Sequence, residues 1–205
     1  MNARHGTLAS VDQREAIDLY LEVWRGDDGP VSFLEAAMRD ARTAWECNAR
    51  WLATLGYLVA VEQIGHTVVR SGTGTTDRKF SRRAFMAALE DFAPELLDED
   101  GQGVLYEMRC ALAHEYGLQS ERTPRVFAYT ESGPLLRLPE ETWDGTAADA
   151  KRLEVTTVVN LAAVADLVER LVASLREAHA EGHMELAQGV AADEVPSLLR
   201  FNITR

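Results

Sequence analysis

The sequence predicts a mainly α-helical protein with a small β segment, on the strength of three observations. Apolar residues recur at helical spacing over most of the chain, capping boxes mark helix starts at Ser10 and Ser32, and β-type runs fall between residues 122 and 158. The chain has 205 residues, of which 46% are hydrophobic, so it is long enough to bury a substantial core. We expect a helical bundle with a small appended antiparallel β-hairpin or three-stranded sheet.

The helices are predicted from their start signals, their apolar spacing and their stop signals. The first capping box opens a helix at about 10–24, and the second opens one long helix at about 32–64, in which Gly56 marks a candidate bend. Further helices are expected at about 81–97 and 102–115, the latter stopped by Gly117.

The pattern changes after residue 122. Runs at 125–129, 135–138 and 153–158 have β-type composition and surround Ser132-Gly-Pro134. The helical period returns at 160–179 with one apolar stripe, formed by Leu161, Val164, Val168, Leu171 and Leu175. We expect a single domain over 1–205, with a helical core at about 10–118 and 160–180 and a β insertion at about 122–158.

Composition excludes several classes of protein. No apolar run is long enough to span a membrane, and the N-terminal residues lack the apolar segment of a signal peptide, so a cytoplasmic location is expected. Cys47 and Cys110 are too few for a disulfide framework and lack zinc-site spacing. His179 and His183 are four residues apart but have no third ligand, so we expect no metal and no cofactor.

The net charge of −12 opposes non-specific attraction to nucleic acid, so an RNA partner needs a local basic patch. The dense basic cluster of the chain lies at a predicted helix start, where the helix dipole disfavours cations. Its members are Arg78, Lys79, Arg82 and Arg83. We interpret these four residues as candidate binding residues, with a solvated surface cluster as the alternative.

The segment from Arg109 to Tyr116 has the most specific chemistry in the sequence. A guanidinium, an imidazole and a phenol are gathered at the end of an otherwise apolar helix. An imidazole can take the proton of a ribose 2'-hydroxyl, and an arginine can hold the scissile phosphate without a metal. Alternatively, Arg109 and His114 pair with acidic residues such as Glu107 or Glu115 in a purely structural role.

The spacing poses a geometric problem. Residues five apart on a regular α-helix point about 140° away from each other, so Arg109 and His114 cannot face one narrow groove together. Either the helix end unwinds or a second subunit contributes. His66, four residues after Glu62 and near a predicted helix end, is interpreted as structural.

The string Arg109-x4-His114-x-Tyr116, near the end of a late helix in a helical bundle, resembles the signature of the HEPN superfamily. Several members are metal-independent endoribonucleases whose active sites form at a dimer interface. The resemblance implies that Arg109 binds phosphate, that His114 transfers protons and that the chain forms a homodimer. The Tyr116 match is similar to toxins of HEPN/MNT toxin–antitoxin pairs, in which a nucleotidyltransferase partner modifies the corresponding tyrosine with AMP.

These observations predict a HEPN-like, metal-independent endoribonuclease that cuts RNA as a homodimer and leaves a 2',3'-cyclic phosphate. One alternative is a non-catalytic HEPN-like module that binds a nucleotide, RNA or a protein partner in the same groove. A plain structural dimer is the other alternative.

Overall fold

The computed structural model describes residues 12–21, 32–73, 80–115, 119–120, 125–192 and 195. Its helices are α1 (Gln13–Leu21), α2 (Phe33–Glu46), α3 (Arg50–Thr67), α4 (Ser81–Phe92), α5 (Glu99–Cys110) and α6 (Leu161–Ala180). Its strands are β1 (Val68–Arg70), β2 (Gln119–Ser120), β3 (Arg125–Thr130), β4 (Leu136–Arg137), β5 (Thr156–Asn160) and β6 (Met184–Leu186). The predicted class, a mainly helical protein with a small appended sheet, is confirmed.

The predicted long helix at 32–64 is in fact two helices, and the break falls at Asn48, not at Gly56. Asn48 has a φ of 63°, in the left-handed region that asparagine tolerates better than most residues. The amide of Ala49 then donates to the Ala44 carbonyl at 2.8 Å, five residues back, as in a Schellman-type helix end. The chain reverses there, and α3 packs against α2.

Polar side chains cap several helix starts, and the predicted cap at Ser32 is confirmed. The Ser32 hydroxyl accepts from the Glu35 amide at 3.0 Å, and the Asp98 carboxylate accepts from the Gly101 amide at 2.8 Å. The second of these caps begins α5 three residues before the predicted start. Helix α4 ends at Phe92, earlier than predicted. Ser10 and Trp24 lie outside the described residues.

The strands of the sheet pair differently from those of the predicted hairpin. Its strand order is β2-β3-β5-β4, in which β3 pairs with β5 in parallel and β4 pairs with β5 in antiparallel orientation. The two runs around Ser132-Gly-Pro134 therefore lie on opposite sides of β5. A second, two-stranded sheet joins β1 to β6, and it was not predicted.

One buried cluster joins the helices to the sheet. The predicted α6 stripe, from Leu161 to Leu175, is buried, and Phe127 of β3 and Val159 of β5 belong to the same cluster. Asn160 fixes the start of α6, because its side-chain oxygen accepts from two amides of the first turn while its amide nitrogen donates to the Gly133 carbonyl at 2.7 Å. The sheet is thereby anchored to the bundle.

Candidate functional site

Arg109 lies in the last turn of α5, at the edge of the core. The helix buries Val104, Leu105 and Met108, so its orientation is fixed by apolar packing. The Arg109 side chain keeps 17% of its surface exposed. Its guanidinium is therefore held mainly by protein contacts and still reaches solvent.

His114 lies in a π-helical turn that continues α5 over Ala111–Glu115. In a π-helix the hydrogen bonds run between residues five apart, so a residue five positions along the chain lies close to the first. Arg109 Nη1, in the last turn of α5, and His114 Nε2, in the π-helical turn, are 3.5 Å apart, and the imidazole is exposed. Of the two ways around the spacing problem, local rearrangement of the helix end is the one observed. A single chain brings both side chains together.

The partner of Arg109 is Glu62 of α3, a residue that the sequence did not single out. Arg109 Nε and Glu62 Oε2 are 2.7 Å apart, and the Glu62 side chain is only 8% exposed. His66, one turn further along α3, places its Nε2 3.8 Å from the other carboxylate oxygen. His66, Glu62, Arg109 and His114 thus form a continuous row of titratable and charged groups.

The environment of Glu62 favours its charged form. Burial raises the pKa of this carboxyl group, but His66, a hydrogen bond from the Ser81 hydroxyl and the charge of Arg109 outweigh burial and leave the pKa below its ordinary value. Glu62 is therefore an anion at neutral pH. It neutralises part of the Arg109 charge and fixes the guanidinium in position.

Tyr106 and Cys110 lie next to this row on α5. Burial is the main cause that raises the pKa of the Tyr106 phenol, to about 12, and a hydrogen bond with the Cys110 thiol contributes less. Tyr106 therefore stays protonated throughout the physiological range. It can donate a hydrogen bond but cannot act as an anionic base near neutral pH.

One member of the predicted basic cluster, Arg82, lies close to α5. Arg82 and Arg83 are exposed at the start of α4, next to Ser81, whose hydroxyl bonds Glu62. The Arg82 guanidinium lies over Gly103 of α5, where an added methyl carbon would be 3.6 Å from Nη2. Arg83 stands 5.9 Å from the centre of the Phe80 ring. Arg78, Lys79 and Tyr116 lie outside the described residues.

The proposed pairing of Arg109 with Glu107 is wrong. Glu107 points to the other side of α5, where its Oε2 lies 2.5 Å from Nε of Arg125 on β3. The side chain of Glu115 lies outside the described residues. The charged partner of Arg109 comes from a different helix, 47 positions earlier in the chain.

His179 and His183 do not meet each other. His179 Nε2 lies 2.6 Å from the Asp18 carboxylate of α1, and His183 Nδ1 lies 3.2 Å from Glu181. Among the described residues, no group of three or more His, Cys, Asp or Glu side chains is arranged to hold a metal ion. Nor is any helix within the described ranges both long and apolar enough to cross a membrane.

Sequence reasoning found two members of the row, Arg109 and His114, interpreted His66 as structural, and did not single out Glu62. A signal for Glu62 was present, because it is an acidic residue that directly follows the apolar run from Tyr57 to Val61 on the same helix. A charge in such a position is rarely buried without a partner.

Comparison of the chain with protein-family models, with curated proteins and with solved structures finds no match.

Proposed function

We propose that this chain is a HEPN-like, metal-independent endoribonuclease that acts on RNA in the cytoplasm. The observation that supports this most is the 3.5 Å approach of Arg109 Nη1 to His114 Nε2 at a solvent-accessible helix end. An imidazole beside a guanidinium supplies a proton acceptor and a phosphate-binding cation in one place. A π-helical turn that departs from regular α geometry is also frequent at functional sites.

The reaction is an intramolecular transesterification. His114 takes the proton of a ribose 2'-hydroxyl, and the 2'-oxygen attacks the adjacent phosphorus. The bond from phosphorus to the 5'-oxygen of the next nucleotide breaks, and that oxygen takes up a proton. The products are a 2',3'-cyclic phosphate and a free 5'-hydroxyl. Arg109 stabilises the charge that develops on the phosphate oxygens.

Glu62 and Tyr106 have supporting roles in this proposal. Glu62 contacts the Nε side of the Arg109 guanidinium, while Nη1 is directed towards His114. A fixed guanidinium loses less side-chain entropy when it binds phosphate. The protonated Tyr106 phenol is a neutral hydrogen-bond donor at the edge of the site.

The proposed assembly is a homodimer, and it rests on the resemblance to HEPN proteins. The five-residue spacing no longer requires a second subunit, because the π-helical turn joins Arg109 and His114 within one chain. We still expect a dimer in which the α5 ends of two subunits face a shared groove. Light scattering at micromolar concentration should give about twice the 22.7 kDa of one chain. A monomer would count against this assembly.

A toxin role is part of the same proposal. In it, a nucleotidyltransferase-type antitoxin would silence the enzyme by adding AMP to Tyr116. The tyrosine is seven residues after Arg109, at the end of the same segment. In this role, the chain is expected to be toxic when it is expressed without its partner.

The experiment is to incubate the purified chain with total RNA in EDTA. We expect fragments that end in a 2',3'-cyclic phosphate, detected by their resistance to 3'-end ligation until the cyclic group is removed. Intact RNA after prolonged incubation at high enzyme concentration would overturn the nuclease proposal.

A non-catalytic HEPN-like module that binds a nucleotide, RNA or a protein partner is the second candidate. The ion pair between Glu62 and Arg109 favours a non-catalytic role, because a guanidinium already paired with a carboxylate is less available to stabilise the charge of a transition state. The net charge of −12 also opposes binding of long RNA. Saturable binding of RNA or nucleotide in EDTA without cleavage would identify this alternative.

A further inference from the structure

A polar cavity lies on the opposite side of α5 from the Arg109 site. Glu107 and Arg109 are two positions apart on the helix, and so point about 160° apart around its axis. The cavity has a volume of about 370 Å³, within the range of small-molecule sites. Glu107, Arg125, Glu140, Glu141 and Trp143 line it. It shares no lining residue with the row from His66 to His114.

The loop that forms one wall of this cavity is held by its own hydrogen bonds. The amides of Glu140 and Glu141 both donate to the Glu154 carbonyl, at 2.8 and 2.9 Å. Trp143 Nε1 donates to the Thr146 carbonyl at 2.8 Å, which fixes the indole ring. A preorganised wall requires little ordering when a ligand binds.

The charges of the cavity are unequally neutralised. Glu107 is paired with Arg125 at 2.5 Å, and Glu141 is paired with Arg152 at 2.6 Å. Within the described part of the chain, no cationic nitrogen forms an ion pair with Glu140. A carboxylate and the face of a fixed indole both attract an organic cation.

We propose that this cavity binds a small organic cation, with its ammonium or guanidinium group between the Trp143 ring and the Glu140 carboxylate. An anion of the same size would meet the Glu140 carboxylate, and the Arg125 guanidinium of the cavity is already paired with Glu107. The cavity also suits the tip of a basic side chain from a peptide, which presents the same chemistry. The site is independent of the proposed ribonuclease activity, since it lies on the other face of α5.

Calorimetric titration of the full chain with agmatine tests this proposal. An end-blocked Gly-Arg-Gly peptide forms the second arm, and glutarate is the anionic control. Saturable binding of agmatine is expected, with glutarate silent. Binding of agmatine but not of the peptide would assign a free small-molecule cation, and binding of both would extend the site to basic side chains. The absence of saturation by either cation up to about 20 mM would overturn the proposal.

Variants locate the binding. We expect Trp143→Ala and Glu140→Gln each to weaken agmatine binding by about 3- to 30-fold, with Trp143→Phe close to wild type. Glu90→Gln, an exposed change on α4, is the matched control and should leave the affinity unchanged. If Trp143→Ala lowers the melting temperature strongly, the affinity of Glu140→Gln for agmatine alone decides whether the ligand binds in this cavity. Wild-type affinity in Glu140→Gln would contradict the assignment, whatever the outcome of the RNA cleavage assay.

Discussion

At the scale of single residues, Glu62 determines what Arg109 can do. A buried carboxylate is stable as an anion only when charges and hydrogen bonds compensate for its lost hydration. Here His66, Ser81 and Arg109 provide that compensation. The same contacts hold the guanidinium beside His114. The ion pair that stabilises the fold therefore also positions the side chain to which we assign phosphate binding.

Glu62→Gln tests how much the ion pair between Glu62 and Arg109 contributes to stability. The change leaves the Arg109 guanidinium without its anionic partner, and breaking a buried pair by removing one charge destabilises a protein by about 3 kcal/mol. We expect a loss of this size in the free energy of unfolding, measured with urea at pH 7. The exposed Glu90→Gln should change it by less than about 0.5 kcal/mol.

The effect should depend on pH in a defined direction. The pKa of Glu62 is lower in the folded protein than in the unfolded chain, so its contribution is fully present above the unfolded pKa. It is lost as the pH falls through the folded pKa. The difference in stability between wild type and Glu62→Gln should therefore shrink below about pH 4. A difference that stays constant from pH 7 to pH 3 would contradict this role for Glu62.

At the scale of secondary structure, the close approach of α3 and α4 brings Ser81 to Glu62. Gly65 permits this approach, since a methyl carbon at that position would collide with the Ala84 carbonyl. Backbone atoms cannot move aside as a flexible side chain can. The two helices must separate if residue 65 becomes larger.

Gly65→Ala is therefore expected to destabilise the protein by about 1 to 3 kcal/mol, the usual effect of overpacking. Gly103→Ala is the matched control, because its added methyl carbon would have only the Arg82 guanidinium nearby, at 3.6 Å. Alanine is the better helix former, so this control should be neutral or stabilising by up to about 1 kcal/mol. Equal urea midpoints for the two variants would argue against the tight contact.

Sequence patterns predicted the elements whose causes are local. The Ser32 cap, the apolar stripe of α6 and the helix end that carries Arg109 follow from neighbouring residues. The break at Asn48 was missed because apolar spacing continues across it, and one left-handed residue leaves no trace in that spacing. The π-helical turn was missed for a similar reason, since five residues are too few to reveal a change of period.

Features that depend on distant residues were not predictable in this way. The parallel pairing of β3 with β5 joins segments separated by the whole β4 region. The pair of Glu62 with Arg109 likewise depends on how α3 crosses α5. Nothing in the spacing within either helix specifies the other as its partner.

At the scale of the whole molecule, charge limits how the proposed RNA substrate could bind. A net charge of −12 repels a polyanion, so the exposed start of α4 is the expected contact region. Arg82 connects this region to α5, because its guanidinium lies over Gly103. RNA that reaches the Arg109 site is expected to pass over α4.

Charge reversal tests this path. Arg82→Glu and Arg83→Glu should each weaken RNA binding and reduce the slope of affinity against salt concentration by about one unit per lost phosphate contact. Lys151→Glu reverses an equally exposed charge on the appended β region and is expected to have a small effect. If all three variants have the same salt slope as wild type, α4 is not part of the RNA path.

RNA cleavage in EDTA by wild type, His114→Ala and Arg109→Lys, with melting temperatures in parallel, tests the proposed chemistry most directly. His114 is exposed, so its truncation should leave the fold intact while the rate falls by about 100- to 10,000-fold. Arg109→Lys keeps a charge opposite Glu62 but loses the planar, bidentate phosphate contact, so it should remain folded with a large loss of rate, whereas Arg109→Ala would leave Glu62 unpaired. A wild type that does not cleave, or a His114→Ala variant that cleaves as fast as wild type, would contradict the account.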